Sequence, residues 1–367
     1  MAHLESYDSF QTKKAREQKK RAKERSSSKE KNVDRGKKFV VKKGENYGVV
    51  VEVRYNDAYV FYEDRIVKAH LRNDINYPCN QVLFPGDKVL IEPGNEDFII
   101  NNMIARTSIL SRVKKDSTRL DSSMGATKNI AANINLAVIV VAAKNPPLHP
   151  KFIDRYLMVL QNSGIESIIC LNKADLKGDN EEKILDIYRS IGIPVIETST
   201  VEKEGIDQLK GYLRGKQTIF VGNSGVGKSS LTNALMDSEE IKTSHVSEKS
   251  GKGRHTTTTS KYYVWDKNSS IIDTPGIRSL DVSNFQPQEI QDYFPEFDGW
   301  SCKCKFSNCL HYKEPENLCM VKQGVKSGII SKDRYISYIR ILGNVLNERN
   351  QGTPGVGALG DDMEEQR

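Results

Sequence analysis

The chain has 367 residues, 37% of them hydrophobic and 28% charged, with a formal net charge of +7. That length exceeds what a single hydrophobic core normally serves, so two or three compact units are expected. No apolar run approaches the roughly 20 residues that cross a bilayer, and the first residues lack the apolar core of a secretory leader and are too rich in Glu and Asp for a transit peptide, so no membrane association and a cytoplasmic location are expected.

Residues 1–38 carry 13 Lys or Arg against 6 Asp or Glu, an excess of seven that equals the net charge of the whole chain. A polar segment of this kind gains little by packing on itself, and it is expected to be a disordered basic arm suited to a polyanion, or else a solubilising tail. From Phe39 to Arg112 the pattern is short and extended. Phe39-Val40-Val41, Tyr47 to Val53, Ala58 to Tyr62, Lys88 to Ile91 and Phe98 to Met103 are predicted strands, separated by turn signals such as Pro85-Gly86-Asp87 and Pro93-Gly94-Asn95. Five short strands in so few residues suit a small closed β-barrel, which hides its edges; an OB-type barrel over 39–112 is expected, an SH3-type barrel being the alternative.

Arg112 to Asn133 is polar and reads as a linker. Leu136 to Ala142 then begins a different regime, an uninterrupted apolar strand of the kind buried on both faces of a parallel sheet. Further strands are predicted at Ser167–Leu171, Pro194–Glu197, Thr218–Val221, Tyr262–Trp265 and Ser269–Ile272. Helices are predicted at Pro150–Asn162, Asn180–Ser190, Gly205–Arg214 and Lys228–Met236. This alternation predicts a doubly wound α/β domain over 113–297. A cysteine-rich unit with a last helix at Ser331–Leu346, bearing Tyr335, Ile339 and Leu342 near one face, occupies 298–349. The Gly-rich, then acidic stretch 350–367 is expected to be a disordered tail.

The chemistry lies in four places. Gly222-Asn223-Ser224-Gly225-Val226-Gly227-Lys228-Ser229 matches the full phosphate-binding P-loop between a strand and a helix. Its backbone N–H groups and the helix dipole favour a β-phosphate, Lys228 would meet the β and γ oxygens, and the Ser229 hydroxyl would coordinate Mg²⁺. Asn172-Lys173-Ala174-Asp175 decides the base: the Asp175 carboxylate accepts two hydrogens from guanine N1 and N2, a pair that adenine does not offer. Asn172 would tie the base loop to the P-loop, the Lys173 stem would cover a face of the purine, and Ser199 in Thr198-Ser199-Thr200 would supply backbone to guanine O6. GTP is therefore the expected substrate.

Asp273-Thr274-Pro275-Gly276 follows a strand. Asp273 would hold the metal through water and the Gly276 N–H would approach the γ-phosphate. Between the P-loop and this element, one threonine of Thr256 to Thr259 should complete the Mg²⁺ shell; Thr257 is chosen, although four consecutive threonines leave the register open. Many GTPases place a water-orienting Gln where this chain has Ile277. An aliphatic side chain cannot orient water, which leaves His255 as the candidate catalytic group, the alternative being a loop histidine that contacts a partner. Slow intrinsic hydrolysis follows from the same substitution.

Four of the six cysteines lie between Cys302 and Cys319. Cys304-x4-Cys309-x-His311-x7-Cys319 supplies three thiolates and an imidazole, a closed set suited to one structural Zn²⁺ rather than a catalytic ion. Cys302 is surplus, either a free thiol beside the site or a substitute ligand. Residues 301–350 hold nine basic against four acidic side chains, so this unit can face RNA; Tyr47, Tyr59, Phe61 and Tyr62 of the barrel are either core residues or stacking platforms.

The base-reading motif precedes the P-loop, the reverse of the usual order, so the chain ends have been relocated. With that order, Ile130-Ala131-Ala132-Asn133, Ile153 to Leu157, Leu171 to Leu176, Gly222 to Ser230, Gly253 to Thr258 and Asp273 to Arg278 resemble the circularly permuted family called ribosome small subunit-dependent GTPase A, over about Phe39 to Leu346. The resemblance implies an OB-type barrel, a circularly permuted P-loop GTPase domain and a C-terminal zinc-binding domain with helices. It also implies GTP hydrolysis coupled to late maturation of the small ribosomal subunit, stimulated by that subunit, with rRNA binding. Through it Ser230 joins the nucleotide residues, His255 takes the histidine of the family's Gly-Arg-His-Thr-Thr loop, and the four zinc ligands match. The base loop departs, with Ser199-Thr200 where Ser-Ala is usual. A monomer is expected. The competing readings are a GTP-dependent RNA-binding scaffold that does not hydrolyse, motivated by Ile277, and a translation or trafficking regulator.

Overall fold

A computed structural model of the protein describes residues 47–54, 57–71, 83–113, 127–236, 261–266, 268–273, 282 and 285–350. The basic arm, the strand expected at Phe39-Val40-Val41 and residues 351–367 lie outside them. Among the described residues no helix is long and apolar enough to cross a membrane.

The first unit is a closed barrel of β1 (Gly48–Arg54), β2 (Asp57–Tyr62), β3 (Arg65–Leu71), β4 (Lys88–Pro93) and β5 (Phe98–Met103) in the order β1-β2-β3-β5-β4, with β1 pairing back to β4. Only β3 and β5 run parallel. Four of the five predicted strands are present, but the barrel is completed by Arg65–Leu71, which the sequence reading passed over. Val67 and Ala69 face the core beside Val50, Val60, Val89 and Ile100, so the strand does alternate. It was hidden because its hairpin turns on Glu63-Asp64, both at positive φ (49° and 58°), without the glycine or asparagine that normally signals such a turn.

The expected linker is also corrected. Thr127–Ala132 is a strand, β7, paired antiparallel with β6 (Ile109–Val113) across the boundary predicted between barrel and α/β domain. Its polar start carries no hydrophobic alternation; the backbone ladder and the burial of Leu110, Ala131 and Ala132 make it a strand. Asn133 stitches the units together: its Oδ1 accepts from Thr107 N (2.8 Å) and its Nδ2 donates to the Gly86 carbonyl (2.9 Å). Nearby, Arg106 grips the fully buried Asp87 through Nε (2.6 Å) and Nη2 (2.8 Å).

The second unit is a six-stranded sheet of β8 (Leu136–Ala142), β9 (Glu166–Asn172), β10 (Val195–Thr198), β11 (Gln217–Val221), β12 (Lys261–Asp266) and β13 (Ser269–Asp273), in the order β10-β9-β8-β11-β13-β12. All neighbours are parallel except the edge strand β12. Every residue of β8 is buried, and the period of two distributes them. Leu136, Val138 and Val140 pack with Leu209 and Leu213 of α3 (Ile206–Leu213) and Leu231 and Leu235 of α4 (Lys228–Met236). Ala137, Ile139 and Val141 face the other side, with Ile153, Tyr156 and Leu160 of α1 (Pro150–Asn162) and Leu185 and Tyr188 of α2 (Asp179–Ser190). These helices match the predicted spans to within a residue.

The third unit is a run of short 3-10 turns from Pro287 to Leu318, followed by α5 (Met320–Lys326) and α6 (Lys332–Asn350). Tyr335 and Ile339 are only partly buried; the packed face of α6 runs through Tyr338, Ile341, Leu342 and Val345, which share one core with α1.

Candidate nucleotide and metal sites

The P-loop leaves the end of β11, which lies between β8 and β13 in the middle of the sheet. Its geometry demands glycine at both ends. Gly222 has φ +149°, and a Cβ there would sit 2.2 Å from the Val140 carbonyl oxygen; Gly227 has φ +93°, and a Cβ there would sit 2.2 Å from Asn172 Nδ2. The loop is thus pressed against β8 on one side and the base-reading segment on the other. Lys228 opens α4, and its Nζ donates to the carbonyls of Gly222 and Asn223 (both 2.8 Å), which holds the ammonium over the loop. Ser229 and Ser230 are exposed in the first turn of α4, next to Ser224 and Gly225 at the exposed tip of the loop.

The residues expected to read guanine converge on this loop. Asn172 is the last residue of β9, 1% exposed, and its Nδ2 donates to the Val226 carbonyl at 3.0 Å. Lys173, at φ +57°, donates through Nζ to the Gly225 carbonyl (3.0 Å) and to the Asn145 carbonyl. Asp175 sits in the 3-10 turn that follows. Ser199, 1% exposed after β10, donates through Oγ to Asp175 Oδ1 at 2.6 Å and accepts from Glu202 N at 3.1 Å. The sequence reading gave Ser199 a backbone role; the structure adds that its hydroxyl aims the Asp175 carboxylate. It also adds Asn145 and the segment Ala143 to His149, which no motif marks. All of these positions lie at the carboxyl ends of parallel strands, where ligands of such sheets belong.

Asp273 ends β13 and pairs with Phe220, two residues before Gly222, so its backbone borders the phosphate loop. Thr257, His255 and Gly276 lie outside the described residues.

The four residues expected to hold metal are assembled. His311 Nδ1 lies 3.6 Å from Cys304 Sγ, 3.3 Å from Cys309 Sγ and 3.4 Å from Cys319 Sγ, and all four ligand atoms fall within 4.8 Å of one another. His311 and Cys319 are fully buried. With Gln291 Oε1 2.9 Å from His311 Nε2, the ring proton is held on Nε2 and Nδ1 turns its lone pair to the thiols. Burial lowers the imidazole pKa to about 4 and pushes the Cys309 thiol up to about 12, so in this apolar pocket the imidazole stays neutral and a cation is needed to draw protons off the thiols. Spacing, donor chemistry and second contacts all fit a tetrahedral zinc ion. Cys302 is exposed and outside the cluster, which makes the substitute-ligand reading unnecessary.

Comparison with known proteins gives the family. The family model described as RsgA GTPase matches residues 103–283. The chain is 34% identical over 308 residues to a small ribosomal subunit biogenesis GTPase RsgA from Pseudomonas putida, covering 83% of this chain and 84% of that protein. The chain belongs to the RsgA GTPase family. A second RsgA, from Caldanaerobacter subterraneus subsp. tengcongensis, is 39% identical over 221 residues, 60% of this chain and 74% of its own. Among solved structures, YjeQ from Thermotoga maritima superposes with a TM-score of 0.64 at 29% identity, covering 82% of this chain and 98% of that one. YloQ, described as a circularly permuted GTPase, superposes at 0.62 and 25% identity, covering 84% of this chain and 99% of that one. As an RsgA GTPase the chain is an enzyme that cleaves GTP to GDP and phosphate, and the permuted order of its motifs is that of the family.

Proposed function

We propose that this chain hydrolyses GTP as a step in late maturation of the small ribosomal subunit, and that docking on the subunit stimulates the reaction. The observation that carries the reading is the direct bonding of the base-reading segment to the phosphate loop, through Asn172 to Val226 and Lys173 to Gly225, in a chain whose relatives are named for small ribosomal subunit biogenesis. Ser229 and Thr257 would hold Mg²⁺ and Asp273 would hold it through water, the Gly276 N–H would approach the γ-phosphate, and His255 would position the attacking water. Ile277 leaves that water without the usual amide, so the free enzyme turns over slowly until the subunit stimulates it.

The work divides among a basic arm (1–38), a barrel (39–112), a permuted GTPase domain (113–297), a zinc unit (298–349) with Zn²⁺ on Cys304, Cys309, His311 and Cys319, and a tail (350–367). The arm and the exposed Lys303, Lys305 and Lys313 of the zinc unit meet the rRNA phosphates. The protein works as a cytoplasmic monomer. Phosphate release measured with and without purified small subunits tests the reading: at least tenfold stimulation, abolished by His255→Ala with GTP affinity retained, is expected. Absence of stimulation would leave a GTP-dependent scaffold, the reading that Ile277 favours.

A further inference from the structure

A buried ionic cluster among the described residues joins the C-terminal unit to the GTPase core. Arg334, on the first turn of α6, is 2% exposed, and Asp154, on α1, is 1% exposed. Arg334 Nη1 donates to Asp154 Oδ1, while Nε and Nη2 grip Glu296 at 2.6 and 3.1 Å. The Tyr188 hydroxyl lies 2.8 Å from the same Asp154 oxygen and 3.1 Å from the Pro150 carbonyl. The guanidinium packs 4.5 Å over the Phe294 ring. Burial pushes the Asp154 carboxyl up and the Arg334 charge is the chief force opposing it.

This cluster grips α1 one turn after the segment Ala143 to His149 ends. That segment is the other wall of the phosphate loop: Lys173 Nζ clasps Asn145 and Gly225 together, and one cleft is lined by Pro146, His149, Phe152 and Tyr156 on one side and by Gly222, Asn223 and Val226 on the other. A displacement of α1 is therefore felt at the loop that cradles phosphate. An apolar replacement of a buried ion pair is often neutral or stabilising, whereas a guanidinium fork fixes direction as well as distance.

We propose that Arg334, supplied by the C-terminal unit, is a positioning residue for the nucleotide site, setting the Ala143–His149 segment against the phosphate loop through Asp154. The C-terminal unit is on this account part of the GTP site without touching GTP. The inference rests on GTP binding at the P-loop, which wild-type titration checks first and independently.

The test uses the full chain and three variants, Arg334→Met, Asp154→Asn and the apolar pair Asp154→Leu/Arg334→Met, each measured for thermal midpoint, affinity for a fluorescent GTP analogue, and KM and kcat. The single variants are expected to raise Kd and KM at least fivefold with kcat within twofold of wild type. The apolar pair, which leaves Glu296 without its cation, is expected to stay folded with a lowered thermal midpoint while Kd stays raised at least fivefold. If the pair restores affinity together with stability, or if it is folded and binds within twofold of wild type, the residue is structural only and the proposal is overturned. Should the single variants fail to fold, the pair decides.

Discussion

Replacing Gly227 by alanine tests how tightly the base-reading and phosphate-binding segments are fitted. The new Cβ would lie 2.2 Å from Asn172 Nδ2 and 3.5 Å from its Cγ, at a φ of +93°. Asn172 cannot swing aside freely, since it is buried, donates to the Val226 carbonyl and takes the Thr198 hydroxyl at 3.4 Å. Placing an L-residue at such a φ costs about 1–3 kcal/mol. Breaking the Asn172 to Val226 bond and leaving a buried amide unsatisfied costs about 1–3 kcal/mol more. The nucleotide-ready loop should therefore be disfavoured by about 2–6 kcal/mol, which at about 1.4 kcal/mol per decade is a loss of roughly one and a half to four decades in GTP affinity. Titration of a fluorescent GTP analogue reads this directly, and a thermal melt in the absence of nucleotide checks that the sheet is intact. A folded variant that binds within tenfold of wild type would refute the claim that Asn172 and the loop are locked together.

Asp175→Asn removes the charged acceptor for guanine and should cost about 2–3 kcal/mol of GTP binding while leaving ATP binding unchanged, as competition titrations would show; retained selectivity for GTP counts against the role. Ser199→Ala removes the 2.6 Å bond that aims that carboxylate, and a loss of about 1 kcal/mol in GTP affinity, roughly fivefold, is expected, with kcat unaltered. Metal analysis should find one zinc per chain, reduced to a trace in Cys319→Ala; stripping the zinc should expose the C-terminal unit to limited proteolysis, and an unchanged digestion pattern would contradict a structural ion. Arg106→Ala leaves the buried Asp87 carboxylate facing no cation and should destabilise the barrel by about 3–5 kcal/mol in a denaturant titration, whereas a change under 1 kcal/mol would show that water replaces the guanidinium.

The parts of the fold that were legible share one property: their signal is local. The P-loop glycines, the all-apolar Leu136–Ala142 and the amphipathic 150–162 each carry enough periodicity or steric demand to declare themselves within a few residues, and the structure places them as expected. The cluster of Cys304, Cys309, His311 and Cys319 was legible for a similar reason, because three thiols and an imidazole at close spacing are a donor set that suits one metal ion. Where the signal is a partner rather than a pattern, reading failed. Thr127–Ala132 is a strand because Ile109–Val113 lies beside it, while Arg65–Leu71 does alternate but enters through the Glu63-Asp64 turn, which no glycine or asparagine marks.

The sequence by itself thus supplied the elements on which the proposed chemistry rests: a P-loop pattern between strand and helix, Asp175 three residues after Asn172, three closely spaced thiols with an imidazole, and the permuted order that links them. Those features depend on backbone conformations and donor sets that particular residue types impose. Only the tertiary structure decided how the pieces bear on one another, with the Ser199 hydroxyl orienting Asp175 across 24 residues and Arg334 reaching Asp154 across 180. A hydrogen bond over such a separation leaves no trace in composition or spacing, since the chain must already be folded for the two groups to meet.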